Sequence, residues 1–217
     1  LPQKTSKDAP GRSLGVDISS TVHLRVDSVA WHLKMGSSRL ATLLSEGTMM
    51  FASSAIEATL KGQTDLGIIS LLIPYGDLIQ GQSQLDLTVT GTLHDPQING
   101  RLIVTKGMYE NAEFGTFIKN INVQGRASGN TFTLSQISGQ DNAKGSVTGH
   151  GSLKFSPLFS PHINLTLKLN QLIVIQNDEL SGKASGDLRL HGVLNGEPSA
   201  KITGDIVIQP FEVRLDE

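Results

Sequence analysis

Apolar and polar residues alternate at period two along most of this chain, a pattern that suits a β-sheet with one buried face and little else. Leu85, Leu87 and Val89 alternate with Asp86, Thr88 and Thr90. Leu102 and Val104, Ile121 and Val123, then Phe132 and Leu134 repeat the pattern. In the cleanest run, Ile163, Leu165, Leu167 and Leu169 alternate with Asn164, Thr166, Lys168 and Asn170. Leu188 and Leu190, then Ile202, Ile206 and Ile208, and finally Phe211, Val213 and Leu215 carry it to the end. Turn residues punctuate these runs at Gly129-Asn130, Gly139, Gly182 and Asn195-Gly196. Strands recurring every ~10 to 15 residues have the spacing of an antiparallel all-β protein without crossover helices.

Helical spacing is confined to two short stretches. Leu66, Ile69 and Leu72 share one face of a turn between Asp65 or Thr64 as N-cap and Pro74 as stop. Ser38 to Glu46 offers a second such turn, ended by Gly47. Residues 1–15 are polar and hold two Pro and two Gly, so they read as a linker or frayed end before a single β domain over 16–217. A chain of 217 residues is long enough to bury a sizeable core. It begins at Leu1 and shows no signal peptide, which leads us to expect a fragment of a larger protein.

A hairpin-sized unit recurs. Gly91-Thr-Leu93-His-Asp-Pro96 follows the strand Leu87 to Thr90 and leads into Leu102 and Val104. Gly192-Val-Leu194 with Pro198 follows Leu188 and Leu190 and leads into Ile206 and Ile208. Gly151-Ser-Leu153 with Pro157 is a weaker copy. The strand ends near the Gly, the Pro marks a turn that donates no ladder hydrogen bond, and the next strand returns antiparallel. Hairpins stacked in this way build a long sheet with one apolar side. A second sheet, closure into a barrel, or a partly open trough holding something apolar would each cover that side. Patterning does not choose among the three.

Composition narrows the partners. The 18 Lys and Arg against 20 Asp and Glu give a net charge of −2 and are scattered, so no basic patch for nucleic acid or an anionic bilayer is expected. With no Cys, disulfides, thiolate metal sites and Cys nucleophiles are excluded. The longest apolar run, Gly67 to Pro74, falls far short of the ~20 residues of a spanning helix. Catalytic patterns are also missing. Gly125-Arg-Ala-Ser128-Gly129 and Gly182-Lys-Ala-Ser185-Gly186 place Ser one residue late for a nucleophile elbow. Gly149-His-Gly151 lacks the third Gly of a phosphate loop. His23, His32, His94, His150, His162 and His191 never fall at metal-ligand spacing. Asp178-Glu179 and Asp216-Glu217, as strand neighbours, point to opposite faces. Asn164-Leu-Thr166 matches a glycosylation sequon but lies inside a strand pattern, which makes it a chance match. We expect no enzyme, metal or cofactor.

From Asp65 to Leu153 the chain runs through DLGIISLLIP, then Gly91-Thr-Leu93-His-Asp95-Pro96-Gln-Ile-Asn-Gly100, then Gly115 to Val123. A Gly129-Asn130 turn leads on into Phe132-Thr-Leu134, and residues 182–208 repeat the Leu-x-Gly-x-Leu…Pro element. In this order the elements resemble the C-terminal region of the TamB family, translocation and assembly module proteins of the AsmA-like superfamily. The resemblance covers residues 65–208, and 16–64 are compatible with it. It implies a long curled antiparallel sheet, the β-taco, whose open hydrophobic groove carries phospholipid acyl chains between inner and outer membranes. It further implies a periplasmic location in a Gram-negative bacterium, an N-terminal inner-membrane anchor outside this chain, and an outer-membrane Omp85 barrel such as TamA as partner. Residues 209–217 read as cut off mid-fold, which would leave out the partner-facing terminus.

On that reading the groove lining is Leu85, Leu87, Val89, Leu102, Val104, Ile121, Val123, Phe132, Leu134, Ile163, Leu165, Leu167, Leu188, Leu190, Ile206 and Ile208. The competing expectation makes the same residues an ordinary core and the sheet an interaction scaffold for outer-membrane protein assembly. About fourteen strands at ~4.8 Å spacing would give a trough of roughly 65 Å.

Overall fold

The computed structural model describes residues 17–36, 42–66, 77–194 and 200–214. Twelve strands form one sheet in chain order, each antiparallel to the next. They are β1 (Asp17–Leu24), β2 (Ser28–Gly36), β3 (Thr42–Met50), β4 (Ile56–Asp65), β5 (Asp77–Gly91) and β6 (Pro96–Asn111). β7 (Thr116–Ser128), β8 (Thr131–Gln140), β9 (Ser146–Lys154), β10 (His162–Gln176), β11 (Leu180–Val193) and β12 (Lys201–Val213) follow. β1 and β12 are the two edges and do not pair with one another, so the sheet stays open. No second sheet faces it among the described residues. Sandwich and closed barrel are thereby set aside, and with twelve strands the sheet spans ~50 Å rather than ~65 Å.

The helical turn expected over Ser38–Glu46 does not form in its described part. Residues 42–46 of the Ser38–Glu46 stretch belong to β3, with Glu46 paired to His32 of β2 and to Thr59 of β4. Packing decides this: Ser45 and Gly47 point to the apolar side, where Ser45 Oγ accepts the Trp31 indole N–H at 3.2 Å. A Cβ on Gly47 would lie 2.6 Å from Trp31 Cζ2. Small inward residues hide the period of two, and the leucines alone then mimic a helix. Thr64 and Asp65, expected to cap the other turn, end β4, and residues 67–74 of that turn lie outside the described residues. So do the linker 1–15, the Asn195-Gly196 turn and Leu215. The first hairpin unit forms as expected, with β5 ending at Gly91 and β6 starting at Pro96. Its weaker copy differs: Gly151 lies inside β9 and Pro157 in the loop after it. Asp178-Glu179 occupies the β10–β11 turn rather than a strand.

A line of irregularities crosses the middle strands. Pairing slips between Gln80 and Gln82 in β5, between Val104 and Gly107 in β6, and between Lys119 and Asn122 in β7. It slips again between Leu169 and Leu172 in β10, and between Gly182 and Ala184 in β11. Lys106, Asn120 and Gln171 take φ of 53°, 51° and 49° at these points, the left-handed conformation typical of a bulge residue. Each bulge bends its strand, and bulges aligned across neighbours crease the sheet.

The β8–β9 hairpin stops at the crease. Beyond it β7 and β10, three strands apart in sheet order, meet directly. Gln176 N donates to Phe114 O at 2.7 Å and Thr116 Oγ1 to Val174 O at 2.6 Å. Asp141, 3% exposed, fastens the tip of the hairpin into that junction. Its Oδ1 accepts from Ala143 N and Gly145 N, both at 2.7 Å, and its Oδ2 accepts from Ile173 N of β10 at 2.8 Å. Val147, Leu169, Leu172 and Ala184 form one buried cluster, with Ile118, Leu167, Val174 and Leu188 packed on it. Leu167 precedes the β10 bulge and Val174 follows it, so the apolar side lies on the inside of the bend. A second cluster of Ile98, Ala127 and Phe132 lies toward the other strand ends and is covered by Phe155 and Leu158 of the β9–β10 loop. Leu158 N donates to Leu93 O at 2.9 Å and ties that loop to the β5–β6 turn.

Candidate apolar binding face

Residues directly opposite one another on neighbouring strands share a face, so the pairing register assigns every side chain to a side. Leu60, Leu87, Gly100 and Ala127 are successive partners from β4 to β7. Phe132, Leu153, Ile163 and Gly192 continue that row from β8 to β11. The next row runs Gly62, Leu85, Leu102, Gly125 and Leu134 to Gly151, Leu165, Leu190 and Ile202. Val89 lies opposite Ile98, Val104 opposite Val123, Leu167 opposite Leu188, Gly186 opposite Ile206 and Ala184 opposite Ile208. Ile121 lies near Gly139, on the same side as Val147. All sixteen residues expected to line a groove therefore lie on one face of one sheet.

Their burial is uneven. Val104 at 6% and Phe132 at 7% exposure are the only two fully covered. Twelve others are half-buried, and Ile206 and Ile208 on β12 are exposed at 44% and 37%. Partial cover over a continuous Leu, Ile and Val surface leaves apolar area in contact with water, which favours taking up an apolar partner.

Sequence reading missed much of this face. Ile18, Val22 and Leu24 of β1 and Val29, Trp31, Leu33 and Met35 of β2 extend it, as do Leu43 and Met49 of β3. The alternation in β1 and β2 was there to be found. Glycines form the other missed component. Gly125, Gly149 and Gly151 all lie on the apolar side, each beside a large side chain, and a Cβ on Gly149 would lie 2.5 Å from Leu167 Cδ2. Large side chains lie over these gaps, so the inner face packs closely on a bent sheet.

The opposite face is mostly polar along β5 to β11, with Ile103 opposite Gln84 and Gln124, and Ile173 opposite Lys183, as apolar exceptions. Lys61, Asp86, Arg101, Arg126 and Thr133 are successive cross-strand partners there. Lys61 Nζ lies 3.9 Å from Asp86 Oδ1, and His32 Nδ1 lies 3.6 Å from Glu46 Oε2. Among the described residues no group of three His, Asp or Glu is placed to hold a metal ion. No helix of the described residues is long and apolar enough to cross a membrane. Tyr109 of β6 has its pKa raised above the ordinary 10.0, first by burial and then by the negative charge of Asp77.

The fold and the face together define a class: a single open antiparallel sheet, creased along its length and apolar on the inside of the crease. Residues 135–217 match the family model of the TamB C-terminal domain, and this part of the chain is TamB-like. The match begins within β8, and the sheet runs unbroken through that point to β1, so the fold extends upstream of the matched residues. No curated protein and no solved structure matches the chain. TamB proteins are envelope proteins of Gram-negative bacteria, associated with TamA and with outer-membrane assembly. The matched part of the chain thus resembles a domain associated with the translocation and assembly module and with outer-membrane biogenesis.

Proposed function

We propose that the apolar face is a non-enzymatic bearing surface for phospholipid acyl chains. The segment acts in the periplasm, within a longer protein anchored in the inner membrane and partnered at the outer membrane by an Omp85 barrel such as TamA. One observation carries this reading: a continuous Leu, Ile and Val face on a bent sheet with no second layer over it among the described residues. Each acyl methylene moved from water onto such a surface gains up to ~0.8 kcal/mol, while the headgroup stays in solvent. Repetition of like side chains from strand to strand makes neighbouring positions nearly equivalent, so displacement along the sheet meets only small barriers.

The test is gentle purification, organic extraction and mass spectrometry, applied to the chain and to Leu165→Asp. Near-stoichiometric phospholipid, lost in the variant while the β signal in circular dichroism survives, is the expected outcome. A lipid-free chain of full stability, or a variant that retains its lipid, would remove the proposal.

One observation favours a second reading, a β-scaffold for assembling outer-membrane proteins. All thirteen residues of the edge strand β12 are exposed, with Ile202 at 71% and Phe211 at 53%. A long apolar strand whose outer side no described strand covers is a template for another strand. Under that reading Ile206→Lys impairs barrel assembly and Leu165→Asp does not; lipid transport predicts the larger effect from Leu165→Asp.

A further inference from the structure

The polar face carries a charge ladder with one member of the wrong sign. In the row Lys61, Asp86, Arg101, Arg126, the first three alternate, and then Arg101 and Arg126 lie directly opposite one another on β6 and β7. Like charges in that position destabilise a sheet. Asp86 is engaged by Lys61 at 3.9 Å, and neither guanidinium has a hydrogen-bond or ion-pair partner among the described residues. Both arginines line a hollow of about 820 Å³ whose wall adds hydroxyl and amide groups from Thr88, Asn99, Gln124, Ser128 and Ser135, with Ile103 as an apolar member on the same face. Among the described residues lining it, Asp86 alone is acidic.

We propose that Arg101 and Arg126 form an oxyanion site on this face, taking a phosphate group between them. An anion there completes the alternation and turns the repulsion into two attractions. Guanidinium forks match the oxygens of a phosphate bidentately, and the neutral hydroxyls and amides donate to the remaining oxygens. Asp86 repels the anion from the Lys61 side and so directs it toward Arg126. The hollow is on the side of the sheet away from the acyl-chain surface, so this inference stands or falls independently of the lipid reading.

The experiment uses the full chain at constant ionic strength, titrated with inorganic phosphate against chloride and followed by the Nε–H signals of its arginines. Arg101 and Arg126 are expected to shift saturably while Arg189, on β11, does not. Arg126→Gln should weaken phosphate binding at least tenfold while the phosphate-free variant melts no lower than the parent, because it loses a like-charge pair. Arg126→Lys should fall between in binding, keeping the charge without the fork. A linear drift shared by Arg189, or Arg126→Gln binding as the parent does, overturns the site. Flotation with phosphatidylglycerol and phosphatidylcholine vesicles then identifies the source of the phosphate. If Arg126→Gln loses selective binding to phosphatidylglycerol, the ligand is a lipid headgroup. If vesicle binding persists while inorganic phosphate binding is lost, the ligand is a soluble phosphate compound. Either result supports the same site.

Discussion

Asp141→Ala is the sharpest test of how the crease is held. The carboxylate accepts three backbone N–H groups and is 3% exposed. Ala143 lies at an exposed position, and water replaces that bond at little cost. The other two, from Gly145 N and Ile173 N, lie where the hairpin tip fills the gap between β7 and β10. A hydrogen bond to a charged acceptor contributes ~1.5 kcal/mol or more, so losing both destabilises the fold by about 3 kcal/mol. Asp141→Asn keeps one acceptor oxygen but sets an amide donor against a backbone donor, so about half that loss is expected. Urea unfolding followed by circular dichroism reads the loss. Hydrogen exchange locates it: the amides of Ile173 and Gln176, which bond to Asp141 and across to Phe114, should lose protection before that of Leu165. A loss under ~1 kcal/mol for Asp141→Ala, with Gln176 still protected, would refute the idea that this carboxylate holds the junction.

Burial predicts a second contrast in stability. Leu169 is 7% exposed inside the crease cluster, so Leu169→Ala should cost ~2 to 5 kcal/mol. Half-buried Leu190 should cost clearly less on truncation, and equal urea midpoints for the two variants would contradict the division between cluster and open face. Tyr109 supplies a pH dependence. Its pKa is raised in the folded state, so the native chain holds the proton more tightly than the unfolded one. Its contribution is therefore constant below the unfolded value near 10.0 and is lost as pH rises from there through the folded value. Tyr109→Phe should lose less stability than the parent between about pH 9 and 11, and parallel losses would disprove the assignment.

The period of two was readable wherever both parities differ in polarity, and β5, β10 and β11 follow it closely. It failed in β3, where Ser45 and Gly47 take inward positions: Trp31 and Ala58 leave no room for a side chain at Gly47, and Ser45 accepts the Trp31 indole N–H. The crease was not legible. Of the left-handed bulge residues Lys106, Asn120 and Gln171, Asn alone is a type that favours such a conformation. Bulges also arise from mismatch between neighbouring strands, which no single strand encodes. Asp141 stood outside the sequence reading for a related reason: its Ile173 partner is 32 residues away and comes close only once β7 and β10 converge. The candidate face was found as a set because it needs parity alone. Its glycines were overlooked because a residue without a side chain leaves no mark in hydrophobic periodicity.

The central claim is that lipid contacts one face of this sheet and not the other, and β10 tests it residue by residue. A photo-crosslinking amino acid placed in turn at Leu165, Thr166, Leu167 and Lys168 samples both faces within one strand, since neighbours point to opposite sides. With the protein in its cell envelope, the account predicts phospholipid adducts at Leu165 and Leu167 and none at Thr166 and Lys168. Adducts of equal yield at all four positions, or none at either leucine, would contradict it.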